Sequence, residues 1–418
     1  MFAQIIFAAK LFGVITRQIW SRLVASLASL SHRLYYRPGS QPRNVVVVGA
    51  SFAGYHTARC LANSLPSGWR VVVIEKNSHF QLTWVLPRFS VVGGHDHKAF
   101  IPYGRYLNGP EGSHLWIRDT VQSITARGKD QEKGQVHLSS GESIDYGYLV
   151  MATGSSAALP SRVELTEKDD GMKALQDQRE RLEKAKDIVI VGGGPAGIEL
   201  AADAKAQYPQ KNVTLIHSRK YLLHDGFGIK IHRVILAEME KLGVTVILGE
   251  KPTLPRDVTT GVLQLSNSAV GFDCLIQCTG QKPNSDLVRF LGTSAFTASG
   301  HLRVKPSLQV ADDTFPYIYA SGDIIDAGSI KTARSAIEQS QVVAENIVRV
   351  IRGRRQMEYH QQWWEGMTKI TVGLEKSLVY ISDGRVEWVI STRPPTELDS
   401  SMAWKYLGAT AYVDPADD

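Results

Sequence analysis

A glycine-rich turn occurs twice in this sequence, at Gly49 and at Gly192, each time directly after a short run of apolar residues. An unbroken apolar run of this length is typical of a strand that is buried on both faces of a parallel sheet. A glycine turn after such a strand opens a helix, and the N-terminal amides of that helix can hold the pyrophosphate of a dinucleotide. The repetition therefore predicts an α/β chain with two Rossmann-like dinucleotide-binding domains.

The first turn follows the run NVVVV and has the pattern G-x-S-x-x-G, with Ser51 in place of the middle glycine. The next apolar run, WRVVVIE, ends at Glu75, whose carboxylate can accept hydrogen bonds from a ribose diol. Both features favour a dinucleotide site over an ordinary strand-to-helix turn. The residues of this turn that we expect to contact the dinucleotide are Gly49, Ser51, Phe52, Ala53 and Gly54.

The second turn follows DIVIV and has the full G-x-G-x-x-G spacing, with Gly192, Gly194 and Gly197. The run after it, NVTLIH, ends at His217, so this site has no carboxylate at the ribose position. Arg219 could pair with a 2′-phosphate, or it could be a surface arginine in solvent. The sequence therefore leaves the choice between NADH and NADPH open.

The positive charge is concentrated at the N-terminus. Residues 1–44 contain six Lys or Arg and no Asp or Glu, and these six account for the whole net charge of +6. The rest of the chain is neutral, which argues against a nucleic acid as a partner. Three interpretations of this apolar, basic leader remain open: a mitochondrial targeting helix, an anchor on a membrane surface, and a helix packed on the body. The breaker that begins at Pro38 predicts that the leader is not part of the fold.

The three cysteines, Cys60, Cys274 and Cys278, are too few and too scattered for a disulfide framework. A reducing compartment is therefore the expected environment. No CxxC pair follows either glycine turn, so a dithiol relay is unsupported. No spacing of His, Cys, Asp or Glu indicates a metal site, and we expect none.

Three further motifs occur in a fixed order after the first turn: YGYLVMATGS, CLIQCTGQKPNS and YIYASGDI. On this ordered set the chain resembles the two-dinucleotide-domain flavoproteins of the disulfide-reductase-like superfamily. Five segments are also similar to the apoptosis-inducing-factor-like, mitochondrion-associated branch, which includes the ferroptosis suppressor protein family and has type II NADH dehydrogenases as more distant relatives. These segments are HKAFIPYGRYL, GGGPAGIELAAD, YPQKNVTLIHSRKYLL, IDAGSIKTA and SMAWKYL.

The resemblance implies FAD in the first site and NAD(P)H in the second, in a glutathione-reductase-like arrangement. It places Lys331 at the flavin ring and Glu199 near the nicotinamide, as the two candidate catalytic residues. It also implies further FAD contacts from Arg88, Val121, Thr153, Gly154, Gly322, Asp323 and Thr332. Ser51 departs from the three-glycine form, and we expect FAD binding to survive this change.

The resemblance also divides the chain. We expect a leader at 1–43, an FAD domain at 44–158 and 281–352, an NAD(P)H domain at 159–280, and a small α+β region at 353–418. Aromatic residues in the last region either line an apolar cleft for an electron acceptor or belong to the core: Trp363, Trp364, Tyr380, Trp388, Trp404 and Tyr406.

Without a dithiol or a metal, a quinone is the natural acceptor for electrons from a reduced flavin, and a leader at a membrane would bring the enzyme to lipid-soluble quinones. The leading hypothesis is thus an FAD-dependent NAD(P)H:quinone oxidoreductase, membrane-associated or mitochondrial. Two alternatives are a flavin-dependent tailoring oxidoreductase that acts on a soluble small molecule, and a redox-sensing interaction protein that promotes cell death.

Overall fold

A computed structural model describes residues 2–127, 133–224, 226–255, 260–328 and 330–415. Within it the chain divides into two compact units, each assembled from three segments. Unit 1 comprises Met1–Ser78, Gly104–Ser155 and Lys282–Gly366. Unit 2 comprises His79–Tyr103, Ser156–Gln281 and Met367–Asp418.

Unit 1 contains a parallel sheet of five strands. The strand before the first glycine turn, Arg43–Val48, lies at its centre, and its four valines are buried as the apolar run predicts. This strand pairs with Trp69–Glu75 on one side and with Tyr148–Met151 on the other. His114–Arg118 and Ile318–Ala320 form the two edges.

Two helices of unit 1 pack on each other beside this sheet. Phe52–Ala62 follows the first glycine turn, and Ala333–Ile351 follows the GD motif. The Ser340 hydroxyl donates a hydrogen bond of 2.8 Å to the Ala53 carbonyl, which fixes the second helix against the start of the first. Unit 1 also has an antiparallel sheet made of Val121–Thr125, Gly134–Leu138 and Ser143–Tyr146.

The leader forms one helix, Phe2–Tyr35, and this helix packs on unit 1. Phe7 is fully buried, with its ring 5.5 Å from that of Trp363. Near the other end, the Ser29 hydroxyl donates to the Asn63 side chain, and a ring nitrogen of His32 lies 2.7 Å from the Leu65 carbonyl. The prediction that the leader is not part of the fold is therefore wrong. The sequence misled because the breaker at 38–42 ends the helix without preventing it from folding back.

Among the described residues, no helix combines the length and hydrophobicity that a bilayer span requires.

Unit 2 is built around a second parallel sheet. The strand before the second glycine turn, Asp187–Val191, lies between Asn212–His217 and Cys274–Gln277, and Thr245–Leu248 forms the edge beyond Asn212–His217. Its apolar core draws on the helices Pro195–Gln207, Lys168–Lys184 and Ile229–Leu242.

The C-terminal segment forms an antiparallel sheet of Thr368–Thr371, Ser377–Ser382 and Glu387–Thr392, followed by the helix Ser400–Tyr406. Ile370, Leu378 and Tyr380 belong to the same buried core as the parallel sheet of unit 2. The α+β character expected for the end of the chain is thus present.

Short elements complete the described chain. They are the strands His79–Gln81, Phe100–Pro102, Ser155–Ser156, Gly261–Gln264, Ala269–Phe272, Lys282–Pro283, Leu302–Arg303 and Ile325–Asp326, the α-turn Leu86–Phe89, and the 3₁₀ turns Thr83–Val85, Asp96–Ala99, Asp286–Leu291, Thr293–Ala295 and Trp363–Gly366.

Candidate functional site

The three motifs of the first site meet at the carboxyl ends of the unit 1 strands. Gly49 has a φ of +91°, and a Cβ on it would lie 2.6 Å from the Ala152 carbonyl oxygen of the ATG motif. A Cβ on Gly322, in the GD motif, would lie 2.9 Å from the Ala53 side chain. Motifs far apart in the sequence therefore meet at the carboxyl ends of the strands, where parallel sheets bind nucleotides.

The first turn of the helix Phe52–Ala62 packs very closely on the end of the strand Arg43–Val48 that precedes it. A Cβ on Gly54 would lie 1.7 Å from the Gly49 carbonyl oxygen, so only glycine permits this approach. Ser51 precedes the helix in an extended conformation, and its side chain does not cap the helix. The Ser51 side chain thus leaves the N-terminus of the helix uncapped, and the helix dipole favours a pyrophosphate there.

Glu75 is buried at the end of its strand and is bound to the first turn. Its Oε2 accepts a hydrogen bond of 2.5 Å from the Ala50 amide, and its Oε1 accepts one of 2.8 Å from the Asn77 amide. Burial raises the pKa of Glu75, and these backbone donors oppose that effect. The carboxylate is thereby oriented and keeps lone pairs for the hydroxyls of a ribose.

The second turn repeats this construction in unit 2. A Cβ on Gly197 would lie 1.9 Å from the Gly192 carbonyl oxygen, and one on Gly192 would lie 2.1 Å from the Cys278 carbonyl of the TG motif. No atom lies within 4 Å of the Cβ position of Gly194, which begins the helix. The middle of this turn is therefore open for a ligand.

His217 takes the place that Glu75 has in the first site. Its Nδ1 accepts a hydrogen bond of 3.0 Å from the Gly193 amide, as Glu75 accepts one from Ala50. Burial lowers the pKa of His217 and the Arg219 charge acts in the same direction, whereas hydrogen bonding to the Leu223 and Tyr221 backbone opposes them. A ring that accepts at Nδ1 carries its proton on Nε2, so His217 lacks the second acceptor atom that the Glu75 carboxylate has.

Arg219 is exposed two residues beyond that strand. Its carbonyl accepts a hydrogen bond from the Gly249 amide, which fixes the backbone from which the side chain extends. The guanidinium is therefore placed at the end of the strand beside His217. Its pairing with a 2′-phosphate stays a prediction.

Most of the other residues predicted for the first site also lie in unit 1. The Thr153 hydroxyl donates a hydrogen bond of 2.6 Å to the Asn284 carbonyl, and the Gly154 carbonyl accepts one from the Asn284 amide. Asp323 accepts a hydrogen bond of 3.0 Å from the Ser155 hydroxyl. Val121 begins an antiparallel strand three residues after Arg118, the partner of Glu75 in register.

Lys331 and Thr332 precede the helix Ala333–Ile351. The Thr332 hydroxyl caps this helix by accepting a hydrogen bond of 3.1 Å from the Ser335 amide. The ammonium of Lys331 donates to the Ile325 carbonyl. Desolvation lowers the pKa of Lys331, whereas the carboxylates of Asp323 and Asp326 act in the opposite direction.

Glu199 lies in unit 2, buried on the helix after the second turn. It accepts hydrogen bonds from the Thr371 amide at 3.0 Å and the Thr371 hydroxyl at 3.3 Å. Burial raises the pKa of Glu199 to about 8, and the nearby Asp203 carboxylate adds to this effect. Glu199 is therefore mostly protonated at pH 7, as a buried acid held by the C-terminal sheet.

Arg88 also belongs to unit 2, unlike the other residues predicted to hold FAD. Its guanidinium binds Asp203 through Nε at 2.6 Å and Nη2 at 3.1 Å, and Nη2 also contacts the Gly373 carbonyl at 3.1 Å. Both side chains are almost fully buried, and a buried guanidinium requires such a carboxylate. The structure thus gives Arg88 a structural partner, and its role toward FAD stays a prediction.

Sequence reasoning missed Asp203 and Thr371. Asp203 stands four residues after Glu199 in GIELAAD, a spacing that puts both acids on one face of a helix. That signal was available, and it indicated a buried cation nearby. Thr371 had no signal, because its contact with Glu199 joins segments 172 residues apart.

The three thiols are free. Burial raises the pKa of Cys60 to about 11 and that of Cys278 to about 12, and it raises the pKa of Cys274 as well. Thiols with raised pKa values form little thiolate at neutral pH, so they are poor nucleophiles.

Comparison with known proteins agrees with this geometry. The family model described as pyridine nucleotide-disulphide oxidoreductase matches residues 43–340. Fe-regulated protein 8 of Mycosarcoma maydis is 32% identical over 88% of this chain and 96% of its own length. Ferroptosis suppressor protein 1 of Xenopus tropicalis is 30% identical over 75% of this chain and 83% of its own length.

Among solved structures, the sulfide:quinone oxidoreductase of Aquifex aeolicus superposes with a TM-score of 0.68 over 89% of this chain and 93% of that one. The sequence identity is 17%, so the likeness concerns the fold.

The two glycine turns allow separate tests of the two sites. Gly54→Ala should yield protein without bound FAD, because the new Cβ displaces the Gly49 carbonyl. Gly197→Ala should keep FAD but weaken ADP-ribose binding at least about tenfold, that is by about 1.4 kcal/mol. Flavin absorbance per protein and titration calorimetry measure the two effects. Gly271→Ala is the matched control, since no atom lies within 4 Å of its Cβ position. Wild-type ADP-ribose affinity in Gly197→Ala would contradict the assignment of the second turn.

The raised pKa of Glu199 predicts a pH-dependent stability. The unfolded state releases this proton near the ordinary pKa of 4.5 and the folded state only near 8. The free energy of unfolding should therefore fall between those pH values. Glu199→Gln should remove this fall in the free energy of unfolding, which is on the order of 2–4 kcal/mol. Urea unfolding at pH 5 and pH 9 measures it, with the exposed Glu240→Gln as control. Parallel pH profiles for wild type and Glu199→Gln would refute the prediction.

Proposed function

Because the chain belongs to the pyridine nucleotide-disulphide oxidoreductase family, and within it to the ferroptosis suppressor and apoptosis-inducing-factor-like branch, we propose that it is an FAD-dependent NAD(P)H:quinone oxidoreductase. Its cofactors are FAD and NAD(P)H. The observation that carries the proposal is the pair of glycine turns in one chain, each with a backbone approach that only glycine allows. Two such sites let one dinucleotide reduce another.

The first site fits FAD and the second fits NAD(P)H. Gly49, Gly54, Glu75, Gly322 and Asp323 would hold the FAD pyrophosphate and sugar, with Thr153, Gly154 and the Val121 backbone beside them. Gly192, Gly194, Gly197, His217 and Arg219 would hold the nicotinamide dinucleotide. Once bound, FAD supplies the two-electron redox chemistry, and the chain binds, orients and shields it.

The domain boundaries and the glutathione-reductase-like arrangement are part of this proposal. An FAD domain at 44–158 and 281–352 is supported by the change from unit 1 to unit 2 near residues 155 and 282, although residues 79–103 cluster with unit 2. An NAD(P)H domain at 159–280 is supported by the segment Ser156–Gln281 of unit 2. The C-terminal segment from Met367 joins this unit and supplies Thr371 to Glu199.

Lys331 and Glu199 have distinct proposed roles. The positive end of the helix after Thr332, together with the Lys331 ammonium, would stabilise negative charge on the reduced flavin. Glu199, kept protonated by burial, would orient the helix under the nicotinamide through its bonds to Thr371. Neither proposed role involves a disulfide. The chain lacks the family's disulfide chemistry because its thiols are unpaired and mostly protonated.

A small diffusible acceptor must then take the electrons from the flavin. The properties of the leader helix favour a quinone as this acceptor. The outward face of this helix bears large apolar side chains, and Phe12, Trp20 and Leu27 are each more than 60% exposed. The helix has no acidic residue and carries Lys10, Arg17, Arg22 and Arg33. A basic helix with an apolar outward face can bind an anionic membrane surface, where lipid-soluble quinones are dissolved. A mitochondrial or other membrane-associated location, facing a reducing compartment, is proposed on the same ground.

The central experiment uses the full chain purified in detergent with its flavin. Under anaerobic conditions NADH or NADPH should bleach the flavin absorbance, and a short-chain ubiquinone analogue should restore it. Flavin that stays oxidised with both nicotinamides would refute the proposed function. Bleaching without recovery on quinone addition would refute the acceptor.

The same assay tests Arg219. Arg219→Ala should raise the NADPH concentration for half-maximal bleaching about tenfold and leave that for NADH unchanged, because only NADPH carries the 2′-phosphate. Arg289→Ala, at another exposed arginine, is the control. Equal responses to both nicotinamides would place Arg219 outside the site.

The membrane proposal predicts loss of binding when the outward face becomes charged. Phe12→Asp with Leu27→Asp should abolish cosedimentation with anionic liposomes at unchanged thermal stability, because both side chains are exposed on the helix. Leu165→Asp, at an exposed leucine elsewhere, serves as the control. Added salt should weaken wild-type binding. Binding of the double variant at wild-type strength would refute this role.

A further inference from the structure

Trp364 is one of several buried side chains of unit 1 with a polar atom that has no hydrogen-bond partner among the described residues. Trp364 is 6% exposed, and within the described part of the chain its indole Nε1 has no hydrogen-bond partner. An indole N–H can only donate, and leaving it unpaired in the interior costs free energy. Trp404 shows the usual solution, since its Nε1 donates to the Lys98 carbonyl at 3.0 Å.

The leader helix covers this tryptophan. One stripe of the helix faces unit 1, with Phe7 and Val14 buried. The ring of Phe7 lies against Trp363, which stands edge-on to Trp364 at 6.2 Å. The Arg17 guanidinium lies 6.0 Å from the centre of the Trp364 ring. An aromatic and a cationic side chain of the leader therefore pack on the Trp363–Trp364 pair.

The same tryptophan lies next to residues assigned to the flavin ring. The Thr332 hydroxyl donates a hydrogen bond of 3.1 Å to the Glu365 carbonyl, one residue after Trp364. Gly366 packs closely on Ile330, since a Cβ on Gly366 would lie 3.1 Å from the Ile330 side chain. The turn Trp363–Gly366 is thus fixed on the loop that carries Lys331 and Thr332.

The neighbouring acid is already bound. Glu365 is fully buried, and its carboxylate accepts hydrogen bonds from the Tyr359 hydroxyl and the Gln362 amide. Glu365 therefore stabilises the turn and does not accept a hydrogen bond from the Trp364 N–H. The indole N–H remains available to donate to a ligand. A ligand for this place needs an oxygen acceptor on an apolar, planar body, which is the chemistry of a quinone carbonyl.

We propose that Trp364 donates a hydrogen bond to a carbonyl oxygen of the quinone, and that the leader helix, through Phe7 and Arg17, forms one wall of this acceptor site. The proposal rests on the proposed function and adds where the acceptor binds. It also gives the leader a second role, because the outward face binds the membrane while the inward face borders the site that the quinone enters.

The test measures the KM for a short-chain ubiquinone analogue with the detergent-purified full chain. Trp364→Phe keeps a ring but loses the N–H, so the quinone KM should rise about three- to tenfold. The KM for NADH, the rate of flavin bleaching and turnover with ferricyanide should not change. Because the variant loses buried ring volume but no hydrogen bond, its Tm should fall less than that of Trp404→Phe, which loses both.

Trp404→Phe is the matched control. It removes an indole N–H that has a partner, so its Tm should fall while its quinone KM stays at the wild-type value. Phe7→Ala, on the leader, should raise the quinone KM without affecting ferricyanide turnover, and it decides the question if Trp364→Phe cannot be purified with flavin.

Wild-type quinone KM values in both Trp364→Phe and Phe7→Ala would overturn the inference. An equal loss of NADH and ferricyanide turnover in Trp364→Phe would do so as well, since it indicates a role in folding. If wild-type protein itself is not reduced by a nicotinamide or reoxidised by quinone, the proposed function fails instead, so the two failures are distinguishable.

Discussion

Both dinucleotide sites depend on a contact between two backbone segments with no side chain between them. Gly54 lies on the Gly49 carbonyl and Gly197 lies on the Gly192 carbonyl, at distances that exclude a Cβ. This approach sets the N-terminus of each helix beside the end of its strand, and a helix N-terminus at such a place can bind a phosphate. The ATG and GD motifs lie beside the first glycine turn and the TG motif lies beside the second, because each motif follows a strand of the parallel sheet in its own unit.

The two sites share this backbone and differ in the group that completes it. Glu75 and His217 end equivalent strands, and each accepts a hydrogen bond from an amide of its own glycine turn. The backbone bond is therefore the same in kind, while the side chain differs, a carboxylate in the first turn and an imidazole in the second. An imidazole lacks the negative charge by which a carboxylate would repel a phosphate.

Charge buried far from the glycine turns ties the segments of unit 2 together. Arg88, Asp203 and Glu199 form one buried group, whose outer contacts are the Gly373 carbonyl and Thr371. Burial keeps Glu199 protonated, which limits the group to one positive and one negative charge at neutral pH. A segment from near residue 88, the helix after the second turn and the C-terminal sheet are thereby fixed to one another inside this unit.

Sequence alone determined the two parallel sheets, the strands that precede the turns, the position of Glu75 and the substitution at His217, because apolar runs and glycine spacing are local signals. It also identified the family, through motifs whose order is preserved. Only the tertiary structure decided that the leader helix packs on unit 1, that Arg88 pairs with Asp203, and that Trp364 is buried without a partner for its indole N–H among the described residues. These facts depend on contacts between residues distant in the chain, which no local pattern encodes. A basic apolar helix has the same sequence pattern whether it lies on a membrane or packs on a protein. The buried Phe7 shows that one face of this helix packs on unit 1.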